Sequence, residues 1–447
     1  MENKINLKED KFVVIGAGDT GRSIVSYLNY NESSLLRILD TRDHPPLVEN
    51  LDVIGGALKY ENIEDATVVV ISPGISIYEP VLQHALASGI KVVGDVELFA
   101  QAIINWNSKI IGITGSNGKT TVTSLTGYLC ESAGYKTLVA GNIGTPVLDA
   151  WLEIEKSKIY PDIIVLELSS FQLETIYSLS YDSSTVLNIS EDHLDRYRDL
   201  LEYSYVKANI FNNSKYQILN LDDKLVMAMA RHDLDNTCFA EINADFCLSK
   251  ENGKTYLQVF GKNVLLADDL QLVGKHNYLN VLSSFALLHG AGLLDDNVIS
   301  LAKSFAGLEH RMQKVAEIEG VLYIEDSKGT NVGAVIAGVG GIDRPIHLIL
   351  GGDGKGQDFY PLRQLVIDKC MSVAIIGQDA DIIYDVLSGV ENVAKFTTLQ
   401  DAVKFVINNA KYGDAVILSP ACASWDMFDN YKHRAQVFVD SIYEILK

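Results

Sequence analysis

A glycine-rich stretch, Gly-Ile-Thr-Gly-Ser-Asn-Gly-Lys-Thr-Thr at residues 112–121, places the strongest constraint on the fold. It follows a short apolar run that ends at Ile111 and predicts a buried parallel strand. It precedes residues 122–134, whose apolar positions recur at helical spacing. Glycines let the backbone approach an anion closely, and the start of a helix presents unpaired N–H groups to it. The order of strand, loop and helix therefore predicts a phosphate-binding loop.

Side chains at and near this loop suit a nucleotide with its magnesium ion. Lys119 can reach the terminal phosphates, and the Thr120 hydroxyl can bind Mg²⁺. Glu167 ends a later apolar run and offers a hard oxygen ligand, whereas His193 is equally consistent with a structural or substrate-contacting role. The loop has the short form G-x-x-G-K-T, not the full G-x-x-x-x-G-K-[ST]. The alternative interpretation is a glycine-rich turn with an exposed lysine.

Charge, hydropathy and cysteine content disfavour several classes of partner. The 447 residues carry a formal net charge of −21, which disfavours nucleic acid and anionic membranes. No apolar run approaches the length of a membrane span, and the polar first residues show no secretory signal. Five scattered cysteines without a C-x-x-C pair indicate reduced thiols. We expect a cytoplasmic protein, and a monomer.

Alternating apolar runs and helical patterns predict three successive α/β domains. The first, residues 1–103, is Rossmann-like, and the central one, residues 104–308, is similar to P-loop ATPases. The third, residues 309–447, is again Rossmann-like. Predicted strands lie at residues 12–15, 35–39, 68–71, 91–95, 109–111, 163–167, 184–189, 215–220, 321–325, 346–350, 373–376 and 415–418. Residues 240–273 predict short strands at an antiparallel edge.

A second glycine motif stands near the N-terminus. Residues 16–21 are Gly-Ala-Gly-Asp-Thr-Gly between a predicted strand and a predicted helix, and Asp40 ends the next predicted strand. The pattern G-x-G-x-x-G with an acidic residue about 20 positions later is typical of dinucleotide-binding domains. A nicotinamide-dependent oxidoreductase, or a non-catalytic nucleotide sensor, is therefore an alternative. It leaves Lys119 and His193 without a role.

Motifs in all three predicted domains resemble those of the Mur ligases, the ATP-dependent amino-acid-adding enzymes of bacterial peptidoglycan synthesis. They occupy residues 113–121, 167–174, 188–197, 274–280, 309–311, 326–331, 351–355 and 418–424. Within the family, Glu-Leu-Ser-Ser-Phe-Gln-Leu at 167–173 and Ser-Pro-Ala-Cys-Ala-Ser at 419–424 resemble members that add D-glutamate to UDP-N-acetylmuramoyl-L-alanine. A folate polyglutamate ligase shares the ATP loop, but the UDP-type first domain argues against it.

The resemblance implies a binding role for residues in each domain. The UDP-substrate would contact Gly18, Thr20, Asp40, Thr41, Arg42, Ser72, Gly74, Asn142 and Ser169. ATP would contact Gly115, Ser116, Asn117, Gly118, Lys119, Thr120, Thr121, Asn277, Asn280, Arg311 and Asp326. D-glutamate would contact Lys328, Thr330, Lys355, Ser424 and Tyr431, where the family often has phenylalanine in place of Tyr431.

The resemblance also implies a mechanism. The substrate carboxylate would attack the γ-phosphate of ATP, and the amine of D-glutamate would then attack the acyl phosphate. Lys119, Glu167, His193 and Lys207 would be catalytic, and Thr120, Glu167, His193 and Lys207 would hold Mg²⁺. In the family a lysine at the position of Lys207 is carbamylated, which turns a cation into a carboxylate. Without the resemblance, Lys207 is an ordinary surface lysine.

Overall fold

The computed structural model describes residues 4–49, 51–190, 192, 196–272 and 274–446. The chain divides into two compact units. The first unit comprises residues 1–247, 258–264 and 282–301, and the second comprises residues 248–257, 265–281 and 302–447. The predicted domain boundaries at 103/104 and 308/309 stay predictions. Among the described residues, no helix is long and apolar enough to cross a membrane.

The first sheet, within the described residues, has five parallel strands in the order β3-β2-β1-β4-β5. The strands are β1 Lys11–Ile15, β2 Ser34–Asp40, β3 Val53–Gly55, β4 Val68–Ile71 and β5 Lys91–Gly94. The helices are α1 Asp19–Tyr30, α2 Pro80–Ala87 and α3 Asp95–Ala102. Successive residues of β1 enter two different apolar clusters: Phe12 and Val14 face one, and Val13 and Ile15 face the other. Both faces of this sheet are therefore covered, as in doubly wound α/β folds.

The second sheet has nine strands in the described part of the chain, in the order β14-β13-β12-β11-β10-β9-β6-β8-β7. They are β6 Lys109–Thr114, β7 Thr137–Gly141, β8 Ile163–Glu167, β9 Ser183–Val186, β10 Tyr216–Asn220, β11 Asp235–Phe239, β12 Phe246–Glu251, β13 Lys254–Val259 and β14 Lys262–Leu266. The helices of this region are α4 Lys119–Ser132, α5 Val147–Ser157, α6 Ser170–Leu173, α7 Leu200–Ala208, α8 Lys224–Met227, α9 Lys275–Gly290 and α10 Asp296–Leu301. The strand that leads into the glycine-rich loop, β6, pairs in parallel with β8 and β9, so the loop lies at the carboxyl edge of the sheet.

The third sheet has six strands among the described residues, in the order β15-β16-β20-β17-β18-β19. They are β15 Gln313–Ile318, β16 Val321–Glu325, β17 Ile346–Gly351, β18 Cys370–Ile376, β19 Val393–Lys395 and β20 Ala415–Leu418. The helices are α11 Val332–Gly340, α12 Leu362–Lys369, α13 Ala380–Val386, α14 Leu399–Asn409 and α15 Tyr431–Ile445. Only β15 runs antiparallel to its described neighbour, and β17 again divides its side chains between two apolar clusters.

The α/β class is confirmed, and so are all the predicted strands, with small changes at their ends. The predicted strand at residues 184–189 ends at Val186. Residues beyond it leave the sheet because their polar groups bind the glycine-rich loop: the carbonyl of Asn188 accepts the N–H of Ser116, and its side-chain oxygen accepts the N–H of Asn117. The predicted helix after the loop begins at Lys119, so the end of the motif forms the first helical turn.

Candidate active site

The glycine-rich loop has the geometry of a phosphate-binding loop. Gly118 is the N-cap of α4 with φ 85°, a left-handed conformation that a residue with a Cβ adopts only with strain. The Ser116 hydroxyl accepts the N–H of Ser190 at 2.9 Å and donates to its carbonyl at 3.1 Å. Lys119 Nζ donates to the carbonyls of Gly115 and Ser116 at 2.7 and 2.9 Å. These hydrogen bonds fix the conformation of the loop. They also hold the Lys119 ammonium against the carbonyls of the loop, at the N-terminus of α4.

Glu167 lies next to this loop on the adjacent strand β8. Its side chain is buried, and Oε1 accepts the Asn142 side-chain N–H at 2.9 Å. The other oxygen, Oε2, is buried without a hydrogen-bond partner among the described residues. A buried carboxylate oxygen without a donor costs free energy unless a cation or another donor contacts it. The site therefore suits a hard cation such as Mg²⁺, with the Thr120 hydroxyl in the first turn of α4 as a second oxygen ligand.

Lys207 lies on α7 and is buried, with 1% of its surface exposed. Its Nζ donates to the Gly115 carbonyl at 3.0 Å and to the Thr114 hydroxyl at 3.2 Å, and it lies 4.7 Å from the centre of the Tyr203 ring. Burial, and next the Lys119 ammonium, hold the pKa of Lys207 well below its ordinary value. The interpretation of Lys207 as a surface lysine is therefore wrong, because its amine is buried against the phosphate loop.

Three of the four residues predicted to hold Mg²⁺ lie among the described residues. Thr120, Glu167 and Lys207 lie around the loop, and His193 lies outside the described residues. In the part of the chain that the structure describes, no group of three His, Cys, Asp or Glu side chains could hold a metal ion. Among the described residues of the predicted set, Thr120 and Glu167 carry side-chain oxygens that could bind Mg²⁺.

The glycine motif of the first sheet forms a tight turn whose acidic residue is already paired. A Cβ on Gly21 would lie 1.7 Å from the Gly16 carbonyl oxygen, so this position admits only glycine. Asp40 accepts the N–H of Ala17 at 2.7 Å and binds the Arg42 guanidinium through both oxygens. Hydrogen bonds from Arg42 hold the pKa of Asp40 well below its ordinary value despite burial.

The other residues predicted for the UDP-substrate lie on elements of the same compact unit. Thr20 is in the first turn of α1, and Gly18 is the N-cap of that helix. The Ser72 N–H donates to the Ile15 carbonyl, which places the 72–74 loop beside the glycine motif. The Ser169 hydroxyl accepts the N–H of Gln172 and caps α6, so it has a structural role of its own. The exposed residues of the set are Gly18, Thr41, Arg42, Gly74 and Asn142.

In the second unit, Asp326 follows β16 and is buried. It accepts the Ser419 hydroxyl at 2.6 Å and the Met312 N–H at 3.1 Å. Burial raises the pKa of Asp326 to about 7, so the carboxyl is poised between its two forms at neutral pH. Asn277 and Asn280 lie on α9, where the amide of Asn280 donates to Asn277 Oδ1 at 3.2 Å.

Residues predicted for the amino acid lie on three loops and one helix of the second unit. The exposed Lys328 has its Nζ 4.1 Å from the centre of the Tyr431 ring, a cation–π contact that joins two predicted residues. Asp353 and Ala423 exchange backbone hydrogen bonds of 3.1 and 2.8 Å, and this bridge joins the loop of Lys355 to that of Ser424. Ser424 is buried, whereas Thr330 and Lys355 are exposed.

Arg434 was not predicted, yet it holds these loops together. It is fully buried on α15 and donates to the carbonyls of Ser327, Cys422 and Ala423. Burial lowers its pKa to about 10, which leaves the guanidinium charged at neutral pH. Its three acceptors are up to 107 positions away in the sequence, so no local pattern could reveal this role.

Comparisons with known proteins point to one family. A model described as the Mur ligase middle domain matches residues 113–288. Models described as the N-terminal domain of MurD-like Mur ligases and as the Mur ligase, glutamate ligase domain match residues 10–94 and 310–422. The chain is 45% identical over 440 residues to the UDP-N-acetylmuramoylalanine–D-glutamate ligase of Chromobacterium violaceum, with 96% of each chain covered. The chain belongs to the Mur ligase family.

Further relatives and solved structures agree with this assignment. This Mur ligase is 41% identical over 432 residues to the UDP-N-acetylmuramoylalanine–D-glutamate ligase of Haemophilus influenzae strain Rd, with 95% of this chain and 96% of the relative covered. Its fold is similar to that of the MurF ligase from Thermotoga maritima in complex with ADP, with TM-score 0.62, 16% identity and coverage of 99% and 97%. MurC from the same organism gives TM-score 0.56, 16% identity and coverage of 98% and 100%. These two likenesses concern the fold alone.

Family membership resolves the alternatives drawn from the N-terminal glycine motif. Mur ligases use ATP, and the phosphate loop of this Mur ligase lies in the matched middle domain. The oxidoreductase and sensor alternatives have no support, since the first sheet matches the N-terminal domain of MurD-like ligases. The dinucleotide pattern was misleading because the same tight turn before a helix serves any diphosphate.

Proposed function

We propose that this Mur ligase adds D-glutamate to UDP-N-acetylmuramoyl-L-alanine with ATP, in the synthesis of peptidoglycan precursors. The observation that carries the proposal is the group formed by the phosphate loop, the half-satisfied Glu167 carboxylate and the buried Lys207. The choice of D-glutamate is supported by relatives named UDP-N-acetylmuramoylalanine–D-glutamate ligase, which are 40–45% identical over nearly the whole chain. A carboxylate is a poor electrophile, so peptide-bond synthesis first requires transfer of a phosphoryl group to its oxygen. A site that binds ATP and stabilises this transfer is therefore needed.

We assign roles in the first step to the chain's own residues. The terminal carboxylate of the UDP-substrate attacks the γ-phosphorus, and the bond from that phosphorus to the oxygen of ADP breaks. Lys119 and the N–H groups at the start of α4 stabilise the anionic oxygens of the transferring group. Thr120, Glu167, His193 and a carbamylated Lys207 would hold Mg²⁺, which when bound neutralises charge on the phosphates.

The second step joins the amino acid. The amine of D-glutamate attacks the acyl carbon, the C–O bond to phosphate breaks, and the nitrogen loses its extra proton. We assign the two carboxylates of D-glutamate to Lys328, Thr330, Lys355 and Ser424, with Tyr431 holding the Lys328 side chain. The UDP end of the other substrate would lie on Gly18, Thr20, Asp40, Thr41, Arg42, Ser72 and Gly74, and its acyl end near Asn142 and Ser169. ATP would also contact Asn277, Asn280, Arg311 and Asp326.

A coupled phosphate-release assay tests the proposal. ATP, Mg²⁺ and UDP-N-acetylmuramoyl-L-alanine are mixed with the enzyme and one amino acid from a panel of L- and D-isomers. We expect phosphate release with D-glutamate and no release with L-glutamate. Lys119→Ala serves as the inactive control, and the exposed Lys136→Ala as the matched active one. Release with another amino acid instead would reassign the substrate, and no release with any would refute the ligase. Light scattering of the same sample tests the expected monomer.

A further inference from the structure

A buried arginine outside the residues assigned above connects two parts of the first compact unit. Arg196 has 9% of its side chain exposed, and the carboxylate of its partner Glu174 has 2%. The Arg196 guanidinium binds Glu174 Oε2 and also donates to the backbone carbonyls of Pro73 at 2.9 Å and Ile75 at 3.1 Å. Its carbon Cζ lies 4.0 Å above the centre of the Phe171 ring. The Arg196 side chain therefore contacts the loop of Pro73 and Ile75, the Glu174 carboxylate and the Phe171 ring at the same time.

The loop that Arg196 binds, residues 72–75, is predicted to contact the UDP-substrate. Pro73 and Ile75 flank Gly74, and Ser72 precedes them. Two backbone carbonyls bound by one planar guanidinium fix both the position and the orientation of this short loop. Lysine could not replace this contact, because an ammonium is a point charge and lacks the planar fork of donors.

The other end of the contact lies beside the catalytic strand. Glu174 directly follows α6, which follows β8 and its terminal Glu167. The second oxygen of Glu174 accepts the Tyr197 hydroxyl at 2.7 Å, so both oxygens are satisfied. The Tyr197 ring lies 5.4 Å from that of Tyr203.

From there the contacts reach the phosphate loop. The Ser116 hydroxyl contacts the Tyr203 hydroxyl at 3.4 Å, and Ser116 belongs to the loop itself. Arg196, Glu174, Tyr197 and Tyr203 thus form a continuous series of packed side chains between the 72–75 loop and the phosphate loop. A reaction between a substrate held by one loop and a phosphate held by the other depends on the distance between the two loops. Small changes in that distance lower the rate by large factors.

Stability alone does not account for this arrangement. A buried ion pair adds little net stability over well-packed apolar residues, whereas a fork that binds two carbonyls and a carboxylate specifies a geometry. We propose that Arg196, together with Glu174, is a positioning residue that sets the 72–75 loop, and with it the UDP-substrate, relative to the phosphate loop. This inference rests on the proposed function.

The test compares Arg196→Lys with wild type in the phosphate-release assay, with calorimetric binding of each substrate alone. The variant keeps a cation beside Glu174 but loses the double contact to the carbonyls. We expect at least a tenfold weaker affinity and higher KM for UDP-N-acetylmuramoyl-L-alanine, with ATP affinity within twofold of wild type. Arg198→Met is the matched control, because Arg198 lies two positions away with 84% of its side chain exposed, and we expect it to match wild type.

Two outcomes would overturn the proposal. A purely structural ion pair predicts that Arg196→Lys behaves as wild type, and a general loss of folding predicts equal losses for all three substrates. If Arg196→Lys does not fold, the double variant Arg196→Met with Glu174→Gln removes both charges together and is judged by the same criteria. Wild-type activity with the UDP-substrate is measured first, so a failure of the proposed function is recognised separately from a failure of the positioning role.

Discussion

Two lysines near the phosphate loop have opposite surroundings, and this difference gives them different chemistry. Lys119 is partly exposed at a helix N-terminus and lies over two carbonyls of its own loop. Lys207 is buried with its Nζ donating to Thr114 and Gly115, and burial, together with the Lys119 ammonium, lowers its pKa toward the neutral amine. A neutral amine is the form that reacts with CO₂, so the lowered pKa of Lys207 supports the proposal that this residue is carbamylated.

A first prediction concerns the chemistry of Lys207. Lys207→Ala should lose at least about 100-fold in kcat, as expected when a group that stabilises the transition state is removed. Acetate or propionate in the assay should restore part of the activity, because a small carboxylate can occupy the space of the carbamate. Phosphate release is measured against acid concentration, with Lys119→Ala as a variant that the acids should not rescue. Full activity of Lys207→Ala without acid would remove this lysine from the mechanism.

A second prediction concerns the pH dependence of stability. Because the folded pKa of Lys207 lies below its unfolded value, the unfolded chain binds more protons between the two. Wild-type stability should therefore rise with pH through this window, up to the unfolded lysine pKa of about 10.4, by at most about 1.4 kcal/mol per pH unit. Lys207→Met lacks this contribution.

Urea unfolding of both proteins at pH 6.5, 8.0 and 9.5, in buffer freed of CO₂, measures the difference. We expect the free energy of unfolding of wild type, minus that of Lys207→Met, to increase as the pH rises. All other titrating groups are common to the two proteins, so those that do not interact with Lys207 cancel in the comparison. Parallel pH profiles would show that the amine is charged in the folded protein.

At the scale of elements, α15 acts as the frame for the predicted amino-acid pocket. Its first residue, Tyr431, contacts Lys328, and its Arg434 binds the carbonyls of two loops. The helix is capped by Asn430, whose side chain accepts the N–H groups of Lys432 and His433. The positions of the Ser327 and Cys422 loops therefore depend on α15, which also contributes the Tyr431 ring to the predicted pocket.

A third prediction follows for Arg434→Lys. The ammonium can satisfy only part of the three carbonyls, so the loops of Ser327 and Cys422 should loosen. We expect the KM for D-glutamate to rise about tenfold, equivalent to about 1.4 kcal/mol, and the KM for the UDP-substrate to stay within twofold. Steady-state kinetics with each substrate varied in turn gives both values. The exposed Lys432→Arg on the same helix is the control, and equal rises for both substrates would contradict the prediction.

Elements were predictable where the signal is local. The strands β4, β8, β16 and β20 are apolar runs and have the predicted bounds within a residue. The short strands β3 and β19 were missed because they are partly exposed edge strands without an apolar run. The phosphate loop was found because its glycines, lysine and threonine are contiguous.

Contacts between distant residues were not predictable. Arg434 and Ser327 are 107 positions apart, and Glu97 and Ser178 are 81 apart. Neither pair has a sequence pattern, because their pairing follows from how the strands and helices pack. Arg196 stood within a recognised motif, yet its role depends on the carbonyls of Pro73 and Ile75 and became visible only in three dimensions.

At the scale of the whole molecule, a fully buried carboxylate joins the first sheet's region to the second within one compact unit. Glu97 on α3 accepts the N–H groups of Tyr177 and Ser178 at 2.7 and 2.9 Å. It also accepts the Ser178 hydroxyl at 2.6 Å and the Gln101 amide at 2.7 Å. Gln101 in turn accepts the N–H of Ile5, so the N-terminal segment is fixed by the same network.

A fourth prediction is that Glu97→Gln lowers the free energy of unfolding by about 2–3 kcal/mol, because its amide group would face donors and leave them unsatisfied. Urea unfolding followed by tryptophan fluorescence measures the loss. The exposed Glu153→Gln is the matched control, for which we expect a change within about 0.5 kcal/mol. A loss as small as that of the control would mean that the glutamine amide satisfies the surrounding donors, and would contradict the prediction.

The strand order of the second sheet determines when the phosphate loop can form during protein synthesis. β6 leads into the loop and lies between β8 and β9, both of which are made later. β8 begins 49 residues after β6 ends, from 114 to 163, which at about 5–20 residues per second is a delay of several seconds. The Asn188 and Ser190 groups that hold the loop emerge later still. We therefore expect a nucleotide to stabilise the nascent chain only after β8, β9 and the residues that hold the loop have left the ribosome.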